Sequence, residues 1–524
     1  MILTTSYLFS HLSPDSETLF ITPYTPEKKR DPNELIPIQV SHIAFCLRHD
    51  QTNDEKPLPE VTCYYLGRNS ESSYTTFKFT LDSDSPQLPS SLDHLIVSTL
   101  RDNLREPKRI DLVYNPKSGH GYSSALLNDV VKSLLKPLEE NGLIETKVWE
   151  TTGENDGERI GREISQKGGN GERTVLVLGG DGTIHEVLNG AVLKREGTEI
   201  DSSKLDLVVI PTGTANALYY HLFPPESLLY PDSTPLSPFY SFLSFLRRSN
   251  APLPLPLALN TINHSASSTI PRVPPILTSV VTSAALHACL LHDAEALRST
   301  YPGLERFKIA AQENVKQWWD GTISLRNTVK RYDSKTKGFV QRGNGEDEVK
   351  LEGPFAYWVS SLVSRFEPSF VVAPLRSPQH QLAPSEATND AGSIDLVVIR
   401  PRRHVPTREA YEAGGDEEEV KKGFADTVWQ VTGGMYQGGA HVDMLYPQGE
   451  GFDDPDAREA GQEQGETEIV EIWRTSEFVW TPVVSSKLKS NLICLDGALH
   501  DLGEGGSLTT RVLASDETGV RVWS

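Results

Sequence analysis

Residues 175–190 constrain the fold of this chain more than any other segment. The apolar run Val175–Leu178 ends in a turn at 179–183 that reads Gly-Gly-Asp-Gly-Thr, and apolar residues then recur at three- and four-residue spacing from Ile184. This succession predicts a strand, a tight turn and a helix. Because glycine lets backbone N–H groups approach a polyanion, the turn is typical of a phosphate site with an acid at its mouth.

The same alternation of strand and helix surrounds this segment. β-Prone runs and helical periods follow one another from Arg109, with strands predicted at 110–114, 146–150, 175–178 and 205–210 and helices at 124–136, 158–166 and 184–195. Such alternation predicts a parallel sheet whose loops gather at one edge.

The chain divides into three predicted parts. Residues 1–105 form a strand-rich extension, 106–235 the α/β domain, and 236–524 a mostly antiparallel domain with one helical stretch at 304–319. Two acidic, glycine-rich segments of the last part, 412–426 and 448–468, are predicted to be mobile loops.

Composition excludes several classes of protein. The 524 residues carry 50 Lys and Arg against 71 Asp and Glu, so the net charge of −21 argues against broad nucleic-acid binding and against a polybasic membrane anchor. The segment at the amino end lacks the pattern of a signal peptide, and no apolar run is long enough to span a membrane. We therefore expect a cytoplasmic protein whose membrane contacts, if any, are peripheral; whether it forms a homodimer is left open.

The cysteines give no sign of a metal centre or a disulfide framework. Four are present, and they are scattered without a Cys-x-x-Cys pair: Cys46, Cys63, Cys289 and Cys494. This usage predicts a reducing compartment and no structural zinc.

Three turns follow successive predicted strands and carry the chemistry. They read Asn-Pro-Lys-Ser-Gly-His-Gly at 115–121, Gly-Gly-Asp-Gly-Thr at 179–183 and Pro-Thr-Gly-Thr-Ala-Asn-Ala at 211–217. One such turn alone is an ordinary strand-to-helix connection, but three in order lie where ligands bind in an open α/β sheet.

In this order the three turns resemble the catalytic domain of diacylglycerol, sphingosine and ceramide kinases, and the run 179–190 is most similar to the sphingoid-base kinases. The resemblance covers residues 109–220 well and leaves out residues 1–105. It continues weakly toward the C-terminus through Gly303, Arg306-Phe307, Ile394-Asp395-Leu396 and His441. It implies a phosphofructokinase-like α/β nucleotide domain followed by a β-sandwich that binds lipid. It also implies ATP as phosphoryl donor, Mg²⁺ as its companion, and the primary hydroxyl of a sphingoid long-chain base as acceptor.

Residue roles follow from the turns and the resemblance together. Asp181 is the candidate general base, because phosphoryl transfer needs a group that accepts the hydroxyl proton. The resemblance implies nucleotide contacts for Asn115, Pro116, Ser118, Gly119, Gly121, Thr151, Thr152, Gly179, Gly180, Gly182, Thr183, Glu186, Gly213, Thr214, Asn216, Asp496 and Gly497. For Glu186 and Asn216, a helix-terminus or loop-capping role stays an equal alternative.

The lipid side is less well defined. Sphingosine kinases bind the amine of the lipid with an acidic pair after the third turn, and Asp293 is the candidate for that carboxylate here, against a plain helix-surface acid. Two departures from the family are Ala215, where relatives have glycine, and Asp496-Gly497-Ala498, where relatives have Asp-Gly-Glu. No metal ligands are assigned.

Three alternatives stay open. A ceramide or diacylglycerol kinase would act on a lipid without a free amine, and it gains if Asp293 lies outside the lipid site. A lipid-binding pseudokinase is suggested by Ala498. A kinase of NAD would share the Gly-Gly-Asp-Gly turn, but the Asn-Pro-Lys-Ser-Gly element and the large last domain argue against it.

Overall fold

The computed structural model describes most of the chain from residue 108 onward and the strands that precede it. The described residues are 6–12, 18–24, 36–39, 42–49, 60–68, 74–81, 108–167, 172–194, 199–227, 236–247, 251–265, 270–301, 305–342, 348–377, 392–452, 467–483 and 489–524.

Two antiparallel sheets of three strands precede the α/β part. The first contains β1 (Ser6–Leu12), β2 (Thr18–Tyr24) and β3 (Ile36–Gln39), and the second contains β4 (Ile43–His49), β5 (Glu60–Arg68) and β6 (Tyr74–Leu81). Ala44, Phe45, Tyr64 and Leu66 of the second sheet belong to the same hydrophobic cluster as one face of the α/β sheet. The second of these sheets therefore packs on the α/β part.

The predicted parallel sheet is present. Its order is β8-β7-β9-β10-β26-β11, with β7 (Lys108–Tyr114), β8 (Ile144–Glu150), β9 (Arg173–Gly179), β10 (Leu205–Pro211), β11 (Leu253–Pro254) and β26 (Val520–Val522). All neighbours are parallel except β11 and β26. Strands β9 and β10 are almost wholly buried, and their central residues, 175–178 and 207–210, are continuous apolar runs.

Helices connect these strands at the predicted places. They are α1 (Ser123–Leu126), a π-helical segment (Leu127–Val131), α2 (Lys132–Glu140), α3 (Asp156–Lys167), α4 (Asp181–Val192), α5 (Ala217–Leu222) and, after a short 3₁₀ turn, α6 (Tyr240–Arg247). The strand and helix bounds agree with the prediction to within a few residues. The strand-helix alternation seen in residues 109–210 is thus confirmed.

Antiparallel sheets dominate the rest of the chain. One has the order β13-β12-β25-β22-β15-β18, with β12 (Leu257–Asn263), β13 (Ile276–Thr278), β15 (Gly321–Arg326), β18 (Val349–Glu352), β22 (Glu477–Pro482) and β25 (Ser507–Leu513). The other has the order β17-β16-β21-β20-β19-β14-β23-β24, with β14 (Val281–Ala284), β16 (Val329–Asp333), β17 (Gly338–Arg342), β19 (Tyr357–Ser361), β20 (Ile394–Ile399), β21 (Glu471–Thr475), β23 (Leu492–Leu495) and β24 (Ala498–Asp501).

The sequence predicted one helical stretch here, at 304–319, but the described part of this half contains several helices: α7 (Ala285–Ala296), α8 (Glu305–Asn314), α9 (Val405–Glu412), α10 (Glu417–Tyr436) and α11 (Ser515–Thr518). An α/β part followed by antiparallel sheets agrees with the predicted fold class at this level. The lipid-binding β-sandwich stays a prediction.

Two expectations need correction. The segment 412–426, expected to be a mobile loop, contains the first half of the twenty-residue helix α10, whose N-cap Asp416 accepts a hydrogen bond from Glu418 N. In addition, the α/β domain was expected to end at residue 235, but its sheet also contains β26, which lies near the end of the sequence. Residues 453–466 of the second predicted loop lie outside the described residues.

None of the helices among the described residues is both long enough and apolar enough to cross a membrane.

Candidate active-site cleft

The three glycine-bearing turns meet at the carboxyl edge of the α/β sheet. They follow β7, β9 and β10, which are neighbours in the sheet. Asn115 Nδ2 donates to Thr183 Oγ1 at 3.2 Å and so joins the first turn to the second. The second and third turns touch, since a Cβ on Gly213 would lie 2.4 Å from Gly180 Cα. The close approach of these backbones requires glycine at both positions.

The first turn is also shaped by glycine. Gly119 has a φ of +54°, and a Cβ there would lie 2.3 Å from the carbonyl oxygen of Thr212 in the third turn. Asn115 Oδ1 accepts a hydrogen bond from Lys117 N at 3.0 Å, which holds the start of the turn. The turn is thereby fixed against its neighbour with its backbone close to the cleft.

A cleft of about 840 Å³ opens between these turns and segments from the second half of the chain. This volume lies in the range of small-molecule sites. Most of the predicted site residues line it: Asn115, Ser118, Gly119, Gly180, Asp181, Gly182, Thr183, Glu186, Gly213, Thr214, Asp496 and Gly497.

Asp181 begins helix α4 and lines the cleft. Its Oδ2 accepts a hydrogen bond from Ala217 N at 2.8 Å and its Oδ1 one from Leu218 N at 3.0 Å, so the N-terminus of α5 orients the carboxylate. Burial raises the pKa of Asp181 to about 6, although these two backbone bonds oppose the shift. The side chain is therefore a fixed carboxylate at neutral pH with more than ordinary basicity.

Glu186 lies one turn further along α4. Its carboxylate accepts hydrogen bonds from Asn155 N at 3.2 Å and Gly157 N at 2.8 Å, at the start of α3. Burial raises its pKa. The structure therefore gives Glu186 a helix-capping role while leaving it on the cleft wall.

Asp496 joins the two halves of the cleft. It accepts three backbone hydrogen bonds, from Ser279 N at 2.7 Å, Val280 N at 2.9 Å and Val281 N at 2.8 Å. His185 Nδ1 lies 3.3 Å from its Oδ2. Because its oxygens are taken by these groups, Asp496 organises the wall, and this role does not require the glutamate that Ala498 replaces.

Six predicted nucleotide-binding residues lie beside the cleft without lining it: Pro116, Gly121, Thr151, Thr152, Gly179 and Asn216. Thr152 holds the start of α3, since its N and Oγ1 donate to Asp156 Oδ2 at 2.9 and 3.0 Å. Asn216 has a φ of +56° and closes the third turn through two hydrogen bonds with Gly213. For Asn216 the structure favours the capping alternative.

Several cationic residues of the cleft were missed by the sequence analysis. They are Arg162, Lys194, Arg298 and Arg306. Arg306 stacks its guanidinium 4.7 Å from the Phe307 ring centroid, and its Nε is buried without a hydrogen-bond partner among the described residues. In the sequence, the weak family resemblance around Arg306 was the only signal for these residues. The hydrophobic period of a helix or strand does not indicate which side chains reach a turn that is distant in the chain.

Asp293, the candidate carboxylate for the amine of the lipid, lies outside this cleft. It faces a separate cavity of about 480 Å³ that shares none of the cleft's lining residues. Lys489 Nζ lies 2.6 and 2.8 Å from its two oxygens, Asn314 Nδ2 donates to Oδ2 at 2.7 Å, and His292 Nδ1 lies 2.9 Å from Oδ1. The carboxylate is therefore already paired with a cation of the protein.

No three His, Cys, Asp or Glu side chains within the described part of the chain are grouped so as to hold a metal ion.

Comparison with known proteins identifies the segment that contains the three turns. Residues 109–231 match the model of the diacylglycerol kinase catalytic domain, which confirms for this segment the domain that the motifs predicted. Sphingosine kinase B of Dictyostelium discoideum is 30% identical over 143 residues, which are 27% of this chain. The match spans only 18% of the length of that relative.

Similar solved structures come from kinases of lipids and of a dinucleotide. A diacylglycerol kinase and a putative diacylglycerol kinase, both from Bacillus anthracis str. Sterne, are 14% and 13% identical, with TM-scores of 0.38 and 0.40; each similarity covers 78% of this chain and 95% or 96% of the other. Yeast NADH kinase complexed with NADH is 9% identical, with a TM-score of 0.32, over 80% of this chain and 84% of that one.

Proposed function

We propose that this protein, whose residues 109–231 match the model of the diacylglycerol kinase catalytic domain, is an ATP-dependent lipid kinase. It transfers the γ-phosphoryl group of ATP to a lipid hydroxyl group. The observation that carries the proposal is the position of Asp181: a carboxylate held by two backbone N–H groups, at the edge of three converging glycine-bearing turns.

The cleft suits a triphosphate. Its turns bring backbone N–H groups to one place, and such groups bind phosphate oxygens. Arg306 and Arg298 line the cleft from the second half of the chain, and Arg298 is also paired with Glu295 at 2.8 Å. The unpartnered Nε of Arg306 is a donor that an anionic ligand would satisfy. Together these groups offset the charge of the transferring phosphoryl group.

If Mg²⁺ accompanies ATP, it would neutralise the negative charge that develops on the phosphate groups during transfer. A magnesium ion that keeps its phosphate and water ligands needs only one or two protein carboxylates. Asp496 does not meet this need, since its oxygens are occupied by backbone N–H groups. Glu154 and Glu158 both line the cleft. Because Glu158 is paired with Arg162, Glu154 is the carboxylate that would hold the ion.

Asp181 accepts the proton of the attacking hydroxyl group. Proton acceptance is most effective when the pKa of the base lies near the working pH, and burial places the pKa of Asp181 at about 6. The two hydrogen bonds from α5 orient the carboxylate before the substrate arrives, so little reorganisation accompanies the reaction.

The acceptor is a lipid without a free amine, of the ceramide or diacylglycerol type, in preference to a sphingoid base. Recognition of an ammonium group needs an unpaired carboxylate in a partly desolvated site. Asp293 was the candidate, but Lys489, Asn314 and His292 occupy both of its oxygens. This pairing supports the alternative that the sequence left open.

A direct assay tests the proposal. Purified full-length protein is incubated with radiolabelled ATP, Mg²⁺ and vesicles that contain ceramide, diacylglycerol, sphingosine or phytosphingosine, and NAD is included as a soluble acceptor. We expect phosphorylated ceramide or diacylglycerol, and loss of product with Asp181→Asn. Asp129→Asn, which changes an exposed carboxylate outside the cleft, serves as the matched control and keeps full activity.

The other outcomes separate the alternatives. A preference for sphingosine would contradict the proposed class of acceptor, but it would agree with the proposed lipid kinase activity. Phosphorylation of NAD alone would overturn the lipid kinase. If the natural chain and Asp181→Asn both bind lipid and neither forms product, the protein would be a lipid-binding pseudokinase.

A further inference from the structure

Two of the four cysteines lie side by side in the second sheet of the extension. Cys46 on β4 is directly opposite Cys63 on β5 in the antiparallel ladder. Both side chains are completely buried, and their Sγ atoms lie 3.0 Å apart. Residues opposite each other on antiparallel strands point to the same face, so the two thiols face each other within the sheet.

The backbone geometry already meets the requirement of a disulfide. Opposite residues in an antiparallel pair have Cα atoms about 4.5 or 5.5 Å apart. Disulfides span Cα separations of about 4.4–6.8 Å. The sulfur atoms need to approach by only about 1 Å to reach the covalent S–S length. A bond between Cys46 and Cys63 therefore requires no change of strand register.

We propose that Cys46 and Cys63 form a reversible intramolecular disulfide that joins β4 to β5. The oxidant is a small disulfide such as glutathione disulfide. One cysteine thiolate attacks it and releases one glutathione thiolate; the second cysteine thiolate then attacks the mixed disulfide and releases the other. The two cysteines lose two protons and two electrons in total, and two glutathione molecules are formed.

The reaction depends on opening of the sheet. Burial, reinforced by the contact with Cys46, raises the pKa of the Cys63 thiol well above its usual range. Because the thiolate is the reactive species and both sulfurs are buried, oxidation proceeds slowly in the closed state. Once formed, the bond is protected from reductant by the same burial.

The position of the pair gives the bond a structural consequence. The preceding residues on β4 are tied to helix α6. Its Arg247 donates hydrogen bonds to the carbonyl oxygens of Ile43 at 2.7 Å and Ala44 at 3.0 Å. Phe45 and Tyr64, the pair adjacent to the cysteines, belong to the core shared with the α/β sheet. A disulfide therefore braces the strand pair through which the extension is attached.

The other two cysteines provide internal controls. Cys289 Sγ lies 3.9 Å from the carbonyl oxygen of Lys489, and Cys494 Sγ accepts a hydrogen bond from Gly497 N at 3.3 Å. Both are buried thiols in the second half of the chain. They share the burial of the proposed pair without facing a thiol in these contacts.

Peptide mapping tests the bond itself. Full-length protein is kept in glutathione redox buffers with a sub-denaturing concentration of urea until the thiol content is constant, and remaining thiols are then alkylated. We expect the peptides of Cys46 and Cys63 to become linked with the loss of two hydrogens, while Cys289 and Cys494 stay alkylated. Alkylation of all four at the most oxidising ratio, or separate glutathione adducts on Cys46 and Cys63, would overturn the proposal.

Thermal unfolding tests the consequence. The oxidised protein should have a higher Tm than the reduced protein, because the cross-link restricts the unfolded chain. Cys63→Ser should remove this difference, and Cys289→Ser should keep it. Equal Tm values for the linked and reduced forms of the natural chain would contradict the bracing role. Since neither cysteine belongs to the cleft, lipid phosphorylation by the reduced variants serves as a separate readout of the proposed activity.

Discussion

Asp181 shows how a single residue serves both the fold and the proposed chemistry. It starts one helix and caps another, since Ala217 N and Leu218 N donate to its carboxylate. An ordinary helix-capping aspartate has a lowered pKa, because the N–H groups favour the charged form. Here burial outweighs the hydrogen bonds, and the pKa rises to about 6. Asp181 therefore accepts two backbone hydrogen bonds and still has a pKa high enough for it to act as a base.

Replacing Asp181 by asparagine should lower kcat for lipid phosphorylation by about 100-fold or more, the usual contribution of a general base. The variant should fold, because the asparagine Oδ1 still accepts one of the two backbone hydrogen bonds. Steady-state kinetics with circular dichroism checks both points. Activity within a factor of two of the natural chain would assign proton transfer to another group.

The raised pKa also predicts how activity and stability depend on pH. Activity, expressed as kcat/KM, should rise with pH through about 6, since only the ionised Asp181 accepts a proton. The stability contribution has the opposite sign. The folded pKa exceeds the ordinary value of 3.8, so the contribution is complete below about pH 4 and is lost as the pH rises through 6. Urea unfolding of the natural chain and Asp181→Asn across this range measures the difference.

At the scale of elements, α3 and α4 pack unusually close together. A Cβ on Gly161 would lie 2.3 Å from the Val187 carbonyl oxygen, and one on Gly190 would lie 1.9 Å from that of Glu158. Two glycines, one on each helix, therefore let the backbones touch. Since α4 begins with Asp181, this contact sets the position of the proposed base.

Gly190→Ala should destabilise the protein by about 1–3 kcal/mol, the usual cost of overpacking, because its new methyl group meets backbone that cannot move freely. Gly423→Ala is the matched control: it lies inside helix α10, with nothing within 4 Å of the added Cβ. That change should stabilise the protein by up to about 1 kcal/mol through helix propensity. Urea unfolding compares the two, and an equal effect would refute the close packing.

Helix α10 shows why one element escaped prediction. Its first turn carries Glu417, Glu418 and Glu419, which suggested a solvated loop but which also suit the positive end of a helix dipole. Its buried residues, including Phe424, Val428 and Val431, only gain a role once the sheets beside them are present. The local composition was compatible with both structures.

At the scale of the whole molecule, distant segments join the two halves. The side-chain amide of Asn189 bonds the backbone N of Leu277 at 2.8 Å and its carbonyl oxygen at 2.9 Å. The end of the chain returns to the α/β sheet through β26, and Trp523 N donates to the carbonyl oxygen of Leu207 at 3.0 Å. The bonds of Asn189 therefore tie helix α4, which begins with the proposed base, to the second half of the chain.

Trp523→Ala should destabilise the full-length protein by about 3–5 kcal/mol, as expected for truncation of a buried aromatic residue. Its ring is only 5% exposed and packs edge-on against Phe245 with the centroids 5.6 Å apart. Trp429→Ala, which removes a ring that is 40% exposed, is the control and should cost much less. Hydrogen exchange of the backbone amides in the α/β part would show whether the loss of stability is confined to that part. Unchanged stability of Trp523→Ala would refute the role of the returning strand.

The sequence by itself determined the α/β alternation, the three turns and the choice of Asp181. These features are local: a strand is an apolar run, a helix a 3.6-residue period, and a turn a glycine where the backbone comes close to its neighbour. Turns that follow parallel strands lie at the same edge of the sheet, and these three meet because β7, β9 and β10 are neighbours in it.

Only the tertiary structure decided which distant side chains meet. Asp293 is paired with Lys489, almost two hundred residues later in the chain. Because of this pair, we propose a lipid without an amine as the acceptor in place of a sphingoid base. Arg306 reaches the cleft, and Cys46 faces Cys63, for the same kind of reason. Pairing of charges, thiols and donors depends on how sheets and helices are brought together in space, and no short-range periodicity in a single chain encodes it.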